Sequence, residues 1–187
     1  VGSLIGLSAV VAAVALEATG LQSVGLVAGL MTGLVCGMAN GLMVTRLRIN
    51  PFIATLGMLS VARGVALLVT GGIPISFTGW AEFLGAGRIF EIPVSFILML
   101  ALAFVIHVLA SRHRLGREIY AIGDNPKAAR LAGIDLKRTR MLVFGLCGCL
   151  AGLGGVILAG NLASADPNLG MGYELDVIAA VILGGTA

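Results

Sequence analysis

The sequence predicts an all-α fold, a polytopic transmembrane helical bundle with one short helix on its cytoplasmic side. Three observations predict it. Apolar residues make up 58% of the 187-residue chain and charged residues only 11%. Mean hydropathy is +1.06. The apolar residues also gather into runs close to the roughly 20 needed to cross about 30 Å of hydrocarbon. Soluble domains carry about a quarter charged residues, so a water-soluble globule, a disordered chain and a free nucleic-acid binder are excluded, although the net charge is +3. The 28 glycines are about twice the usual frequency and suit closely packed membrane helices. Residues 1–187 read as a single transmembrane domain. The chain opens at Val1 and stops at Ala187 inside apolar runs, which is the expectation for a piece of a longer protein truncated at both ends.

The spans follow in order. Residues 1–16 form the first; with no Lys or Arg before it and no processing site after it, a signal peptide is disfavoured. The others are 21–45, 51–70, 93–110, 141–160 and 173–187. Alternating spans put the loop 46–50 and the long loop 111–140 on one side. These carry Arg46 and Arg48, then Arg112, Arg114, Arg117, Lys127, Arg130, Lys137, Arg138 and Arg140. The opposite side holds the turn at Glu17 and the segments 71–92 and 161–172, with Arg88 as its one basic residue. Ten against one is a strong positive-inside signal, so the basic loops are cytoplasmic. The segment 71–92, with Trp80, Phe83, Phe90, Pro74 and several glycines, reads as an interfacial loop with aromatic anchors.

Gly25, Gly29, Gly33, Gly37 and Gly41 recur every fourth residue in the second span and lie along one helix face. Gly145, Gly148, Gly152 and Gly155 repeat the device in the fifth. Such stripes let helix backbones approach closely in lipid; they speak for packing and say little about activity. Cys36, Cys147 and Cys149 all sit in apolar runs, and their odd number argues against a disulfide framework. His107 and His113 have no partner at metal-ligand spacing, so no metal site is expected. No nucleophile motif or phosphate-cradling loop is present.

Arg63 is the costliest residue. It lies about 18 Å along the third span from Pro51, where an arginine costs about 2.5–3.5 kcal/mol on insertion scales, so it must face protein or a wet cavity. It either bonds to neighbouring helices or lines a solute path. Ser60 and Thr70 are expected on its face. Asn40, beside the glycine stripe, has the same two readings. Glu174 and Asp176 open the sixth span after the turn expected at Asp166-Pro167-Asn168, at the outer mouth. There they complement the positive end of the helix dipole or contact a polar solute.

The most informative stretch is GREIYAIGDNPKAARLAGI, Gly116–Ile134. Asn125 is a good N-cap, Pro126 suits the first helical position, and Gly133 suits the position after the helix. A helix of about two turns is predicted, too short to persist unless packed. By itself it is either an interfacial turn or a knob able to receive force from a soluble subunit.

This stretch resembles the cytoplasmic coupling loop of permease subunits of bacterial ABC importers for simple sugars, the ribose-type monosaccharide permeases. INPFIATLGMLSVARG, Ile49–Gly64, and GYELDVIAAVILGGTA, Gly172–Ala187, are similar to motifs of the same family. The spacing between the three blocks fits as well, so the resemblance extends over essentially the whole chain. The resemblance implies a multi-pass protein of the bacterial inner membrane that imports a monosaccharide or similar small polar solute by alternating access. It implies no cofactor and no enzymatic activity in this chain, ATP and Mg being used by a partner. The implied partners are a cytoplasmic ATP-binding subunit, a second permease copy or paralogue, a periplasmic or lipoprotein sugar-binding protein and the lipid bilayer, with no nucleic acid.

Gly123, Asp124, Asn125, Pro126 and Lys127, with Ala128, Ala129, Arg130, Leu131 and Gly133, would form the coupling element. A neutral, hydroxyl-rich solute needs donors and acceptors, for which Asn40, Thr55, Ser60, Arg63, Asn161, Glu174 and Asp176 are the candidates. The alternative is an ion-coupled secondary transporter or channel, which needs an intramembrane carboxylate or a broken helix near the midplane. A membrane-bound enzyme lacks candidate catalytic groups.

Overall fold

The computed structural model of the chain describes residues 1–89 and 91–184. Phe90 and the last three residues of the sixth predicted span lie outside the described residues, as does the side chain of Trp80.

Nine helices and four two-residue strands follow one another in these residues. They are α1 (Gly2–Thr19), α2 (Gln22–Thr45), α3 (Pro51–Thr70), β1 (Ile75–Ser76), α4 (Trp80–Ala86), β2 (Arg88–Ile89) and β3 (Ile92–Pro93). Then come α5 (Val94–Arg112), α6 (Arg114–Asp124), α7 (Pro126–Leu131), α8 (Leu136–Leu162), β4 (Ser164–Ala165) and α9 (Tyr173–Leu183). α1, α2, α3, α5 and α8 are each long and apolar enough to cross a membrane, which gives the expected all-α bundle. The strands make two short antiparallel ribbons, β1 with β4 and β2 with β3.

Local chemistry sets the breaks. Gly20, at φ 66°, ends α1 in a left-handed turn that few other residues enter cheaply. The Asn50 side chain accepts the Phe52 N–H at 2.9 Å and Pro51 follows, so α3 starts there. At the basic end of the bundle α8 starts five residues before the predicted span. The Asp135 carboxylate accepts the N–H groups of Lys137 and Arg138 at 3.0 and 3.2 Å, so the helix begins in the polar interface. Its 27 residues measure about 40 Å, more than the hydrocarbon needs.

The centre of the bundle is the antiparallel pair α2–α8. All five glycines of the α2 stripe are buried, and so are Gly145, Gly148, Gly152 and Gly155 of α8. Across them a Cβ on Gly37 would stand 3.0 Å from the Gly148 Cα. α1 crosses both helices, burying Ala9, Ala12 and Ala13 with Val156 and Ala159, and on another side Leu4, Leu7 and Val10 with Ala62 and Ala66 of α3. The core is thus built of small residues, and helix contact comes from close backbone approach, as it must where lipid offers no hydrophobic drive. α5 is the opposite, with Val94 its one buried residue.

The segment after α8 departs from the expected outer loop. β4 pairs with β1 at the outer end, and the chain then turns back along α1. A Cβ on Gly6 would lie 2.9 Å from the Leu169 carbonyl oxygen, and Gly2 abuts the Gly170 carbonyl. Ile5 is level with Gly155, about 10 Å below the end of α8 at Leu162, so Gly170 lies deeper still. Ala165, Pro167 and Gly170 are buried. Irregular backbone at such depth is tolerated only when protein covers it or it lines a cavity; here Gly2 and Gly6 leave the room. The sixth helix, α9, therefore begins at the depth of Gly2 on the side of the bundle, with no buried residue of its own, rather than at the outer mouth.

Candidate functional site

α7 is built as predicted. Asn125 Oδ1 accepts the N–H groups of Lys127 and Ala128 at 3.0 and 3.1 Å. At the other end Gly133, at φ 80°, donates to the Arg130 carbonyl and Ile134 donates to the Ala129 carbonyl, both at 3.1 Å. These paired bonds are a Schellman closure. Ala129 is buried against the protein, while Asn125, Pro126, Lys127, Ala128 and Arg130 are exposed, as are Gly123, Asp124 and Gly133. Leu131 is 91% exposed. A small capped knob with an apolar tip and two flanking cations thus projects from the basic end of the bundle.

What holds the knob is α6, a helix absent from the sequence reading. Its signal was present: Leu115, Ile119 and Ile122 at helical spacing, opposite Arg114, Arg117 and Asp124. Gly116 and Gly123 within it lower its intrinsic helix propensity. His113 caps it, Nδ1 accepting the Leu115 N–H at 3.2 Å. Glu118 then ties α6 to α8. One carboxylate oxygen accepts from Arg114 Nε at 3.0 Å, and the other accepts from the buried Thr139 hydroxyl at 3.0 Å. A carboxylate so held is a strut between the knob's support and the helix that carries the glycine seam.

The candidate path residues are not gathered in one place. Asn40 is 5% exposed and shares a cavity of about 190 Å³ with Ser3, Thr55, Met58 and Cys147. The Asn40 Oδ1 and the Ser3 hydroxyl are buried there without a hydrogen-bond partner among the described residues. The Thr55 hydroxyl bonds the carbonyls of Pro51 and Phe52 at 2.9 and 3.0 Å. Arg63 is half-buried on α3, with Nε and one terminal nitrogen buried and unpartnered. Ser60, one turn before Arg63 on the same helix, is exposed, and so are Asn161 and Asp176. Glu174, expected at the outer mouth, instead brings a buried carboxylate oxygen beside Gly2. Ser3 escaped the sequence reading because a small hydroxyl in an apolar run looks like packing.

Among the described residues no group of three His, Cys, Asp or Glu side chains is placed to hold a metal ion. The three cysteines are free.

The family model described as "Branched-chain amino acid transport system / permease component" matches residues 1–187. The chain belongs to this permease family. Among its relatives, the ribose import permease protein RbsC of Escherichia coli is 42% identical over 199 residues, covering 100% of this chain and 60% of the relative. The ribose import permease protein RbsC of Bacillus subtilis is 43% identical over 151 residues, covering 79% of this chain and 47% of the relative. The L-arabinose transport system permease protein AraH of Escherichia coli is 36% identical over 188 residues, 100% of this chain and 57% of the relative. This permease chain therefore spans about half to three-fifths of the length of these relatives. No solved structure gives a significant match. With five helices fit to span a bilayer, the permease is a multi-pass inner-membrane protein.

Proposed function

We propose that this chain is the central part of the transmembrane subunit of an ATP-driven importer for a monosaccharide or similar small polar solute, with α7 as the coupling helix. The single observation that carries the reading is α7: six residues capped at both ends, tipped by Leu131, and braced to α8 through Glu118. In this reading α7 seats in a cytoplasmic ATPase subunit, and α8 moves with it. The closely packed α1, α2 and α8 would then rock as a unit to open the path on alternate sides. A second copy or paralogue completes the path, and a sugar-binding protein delivers solute outside. The names of the relatives, which specify ribose and L-arabinose, support a sugar rather than the amino acid in the family description. The polar groups buried at Asn40 and Ser3 suit a neutral hydroxylated solute, and Asn40, Thr55, Arg63 and Glu174 are its proposed contacts.

The interrupted stretch between α8 and α9, with Glu174 at depth, is the one feature that favours an ion-coupled secondary transporter. Uptake by the full-length protein reconstituted with its ATPase subunit separates the two. ATP-dependent uptake insensitive to an ionophore supports the importer; uptake driven by an ion gradient without ATP overturns it.

A further inference from the structure

We propose that the cytoplasmic half of this chain holds one anionic phospholipid, its acyl chain in a crevice between α2, α5, α6 and α8 and its phosphate at Arg138. The crevice has a volume of about 400 Å³ and walls that include Leu34, Met38, Leu109, Ile119, Leu142 and Cys149. A space so apolar offers water no partners. From Arg138 to Cys149 it follows α8 for about 16 Å, the thickness of one leaflet's hydrocarbon. It opens into a polar pocket of about 520 Å³ that holds His113, Arg114, Glu118, Asp135 and Arg138, and the two share Leu115, Arg138, Thr139 and Leu142 as common wall. An apolar slot one leaflet deep, ending in a polar chamber at the membrane surface, has the shape and polarity of a lipid.

Charge selects the headgroup. The two carboxylates of the chamber are already engaged, Glu118 by Arg114 and Thr139, and Asp135 by the first N–H groups of α8. Arg138 is exposed and has no carboxylate partner among the described residues. The surrounding loop 111–140 carries eight Lys and Arg against three Asp and Glu. A guanidinium left free in such a field pairs with a phosphate through two parallel hydrogen bonds. The inference does not depend on what solute is transported.

The test uses the full-length permease in its complex, exchanged into nanodiscs of equal phosphatidylglycerol and phosphatidylcholine, with retained lipid read by native mass spectrometry. Retention of phosphatidylglycerol in preference to phosphatidylcholine is expected, with Arg138→Gln lowering it about tenfold and leaving phosphatidylcholine unchanged. Gly145→Leu tests the crevice separately. Gly145 lines the crevice, and a Cβ there would sit 3.5 Å from the Leu34 and Met38 side chains, ordinary contact. Gly145→Leu is expected to abolish retention of both lipids. A phosphatidylglycerol with a photoreactive acyl chain should label residues 141–149. Equal retention of the two lipids by the parent protein, no effect of Arg138→Gln, or labelling confined to other segments because another part of the full chain fills the slot would overturn the proposal.

Discussion

Gly33 and Gly148 obstruct each other reciprocally: a Cβ on either would collide with the carbonyl oxygen of the other. The two helices therefore touch backbone to backbone near the middle of the bundle, and neither position can accept a side chain without moving a whole helix. That contact sets the spacing of α2 and α8, and α6 is tied to α8 through Glu118.

Substitution at this seam should be costly and specific. Gly33→Leu or Gly148→Leu is expected to prevent recovery of folded protein, and the alanine versions to cost about 1–3 kcal/mol. Gly154→Ala is the control, because a Cβ there meets nothing within 4 Å. Thermal unfolding in detergent should show a lowered Tm for the first two positions and none for the third.

The proposed coupling knob depends on its caps. Replacing Asn125 and Pro126 with glycine removes a side-chain cap, at roughly a few tenths of a kcal/mol, and a preset backbone angle. Membrane insertion is expected to be unchanged while solute-stimulated ATPase activity of the reconstituted complex falls. Stimulation equal to the parent's would count against α7 as the coupling helix.

Leu131 is the exposed apolar tip. Burial of a leucine in a partner's groove contributes about 2 kcal/mol, so Leu131→Asp should weaken association with the ATPase subunit at least tenfold in a pull-down or titration. Lys127→Ala, at the solvated flank, should change it little.

The strut makes a prediction that simple destabilisation would not. Glu118→Ala and Thr139→Val each break the 3.0 Å bond between α6 and α8, so in a double-mutant cycle on coupled ATPase activity their effects should not add. The expected coupling energy is about 1–2 kcal/mol. Additive effects would mean that the bond transmits nothing.

In the interior, Asn40→Leu should impair uptake while leaving ATPase association intact. The carboxamide oxygen lies buried without a partner in the small cavity beside Ser3, and Leu removes the polar group with little change in bulk. Loss of protein rather than of uptake would assign Asn40 to helix packing.

Much of this was legible from residue order alone, for a physical reason. Hydrocarbon thickness imposes a run length, so spans could be counted directly, and five of the six expected ones stand as long apolar helices. Asn125, Pro126 and Gly133 act on backbone within a few residues, so α7 and both its caps could be placed before any fold was known. The glycine repeats likewise announced a close seam. α6 was missed because its two glycines lower local propensity, while the contact that holds it, Glu118 with Thr139, joins residues 21 apart in the chain.

The sequence by itself determined that this chain lives in a membrane, where it crosses, which side is basic and where the knob stands, because each of these follows from local composition and short-range backbone chemistry. Only the tertiary structure decided which glycine meets which, that the stretch after α8 turns back along α1, and that Asn40 is enclosed while Ser60 is not. Those outcomes depend on how neighbouring helices rotate and approach, and that is settled by packing between residues far apart in the chain.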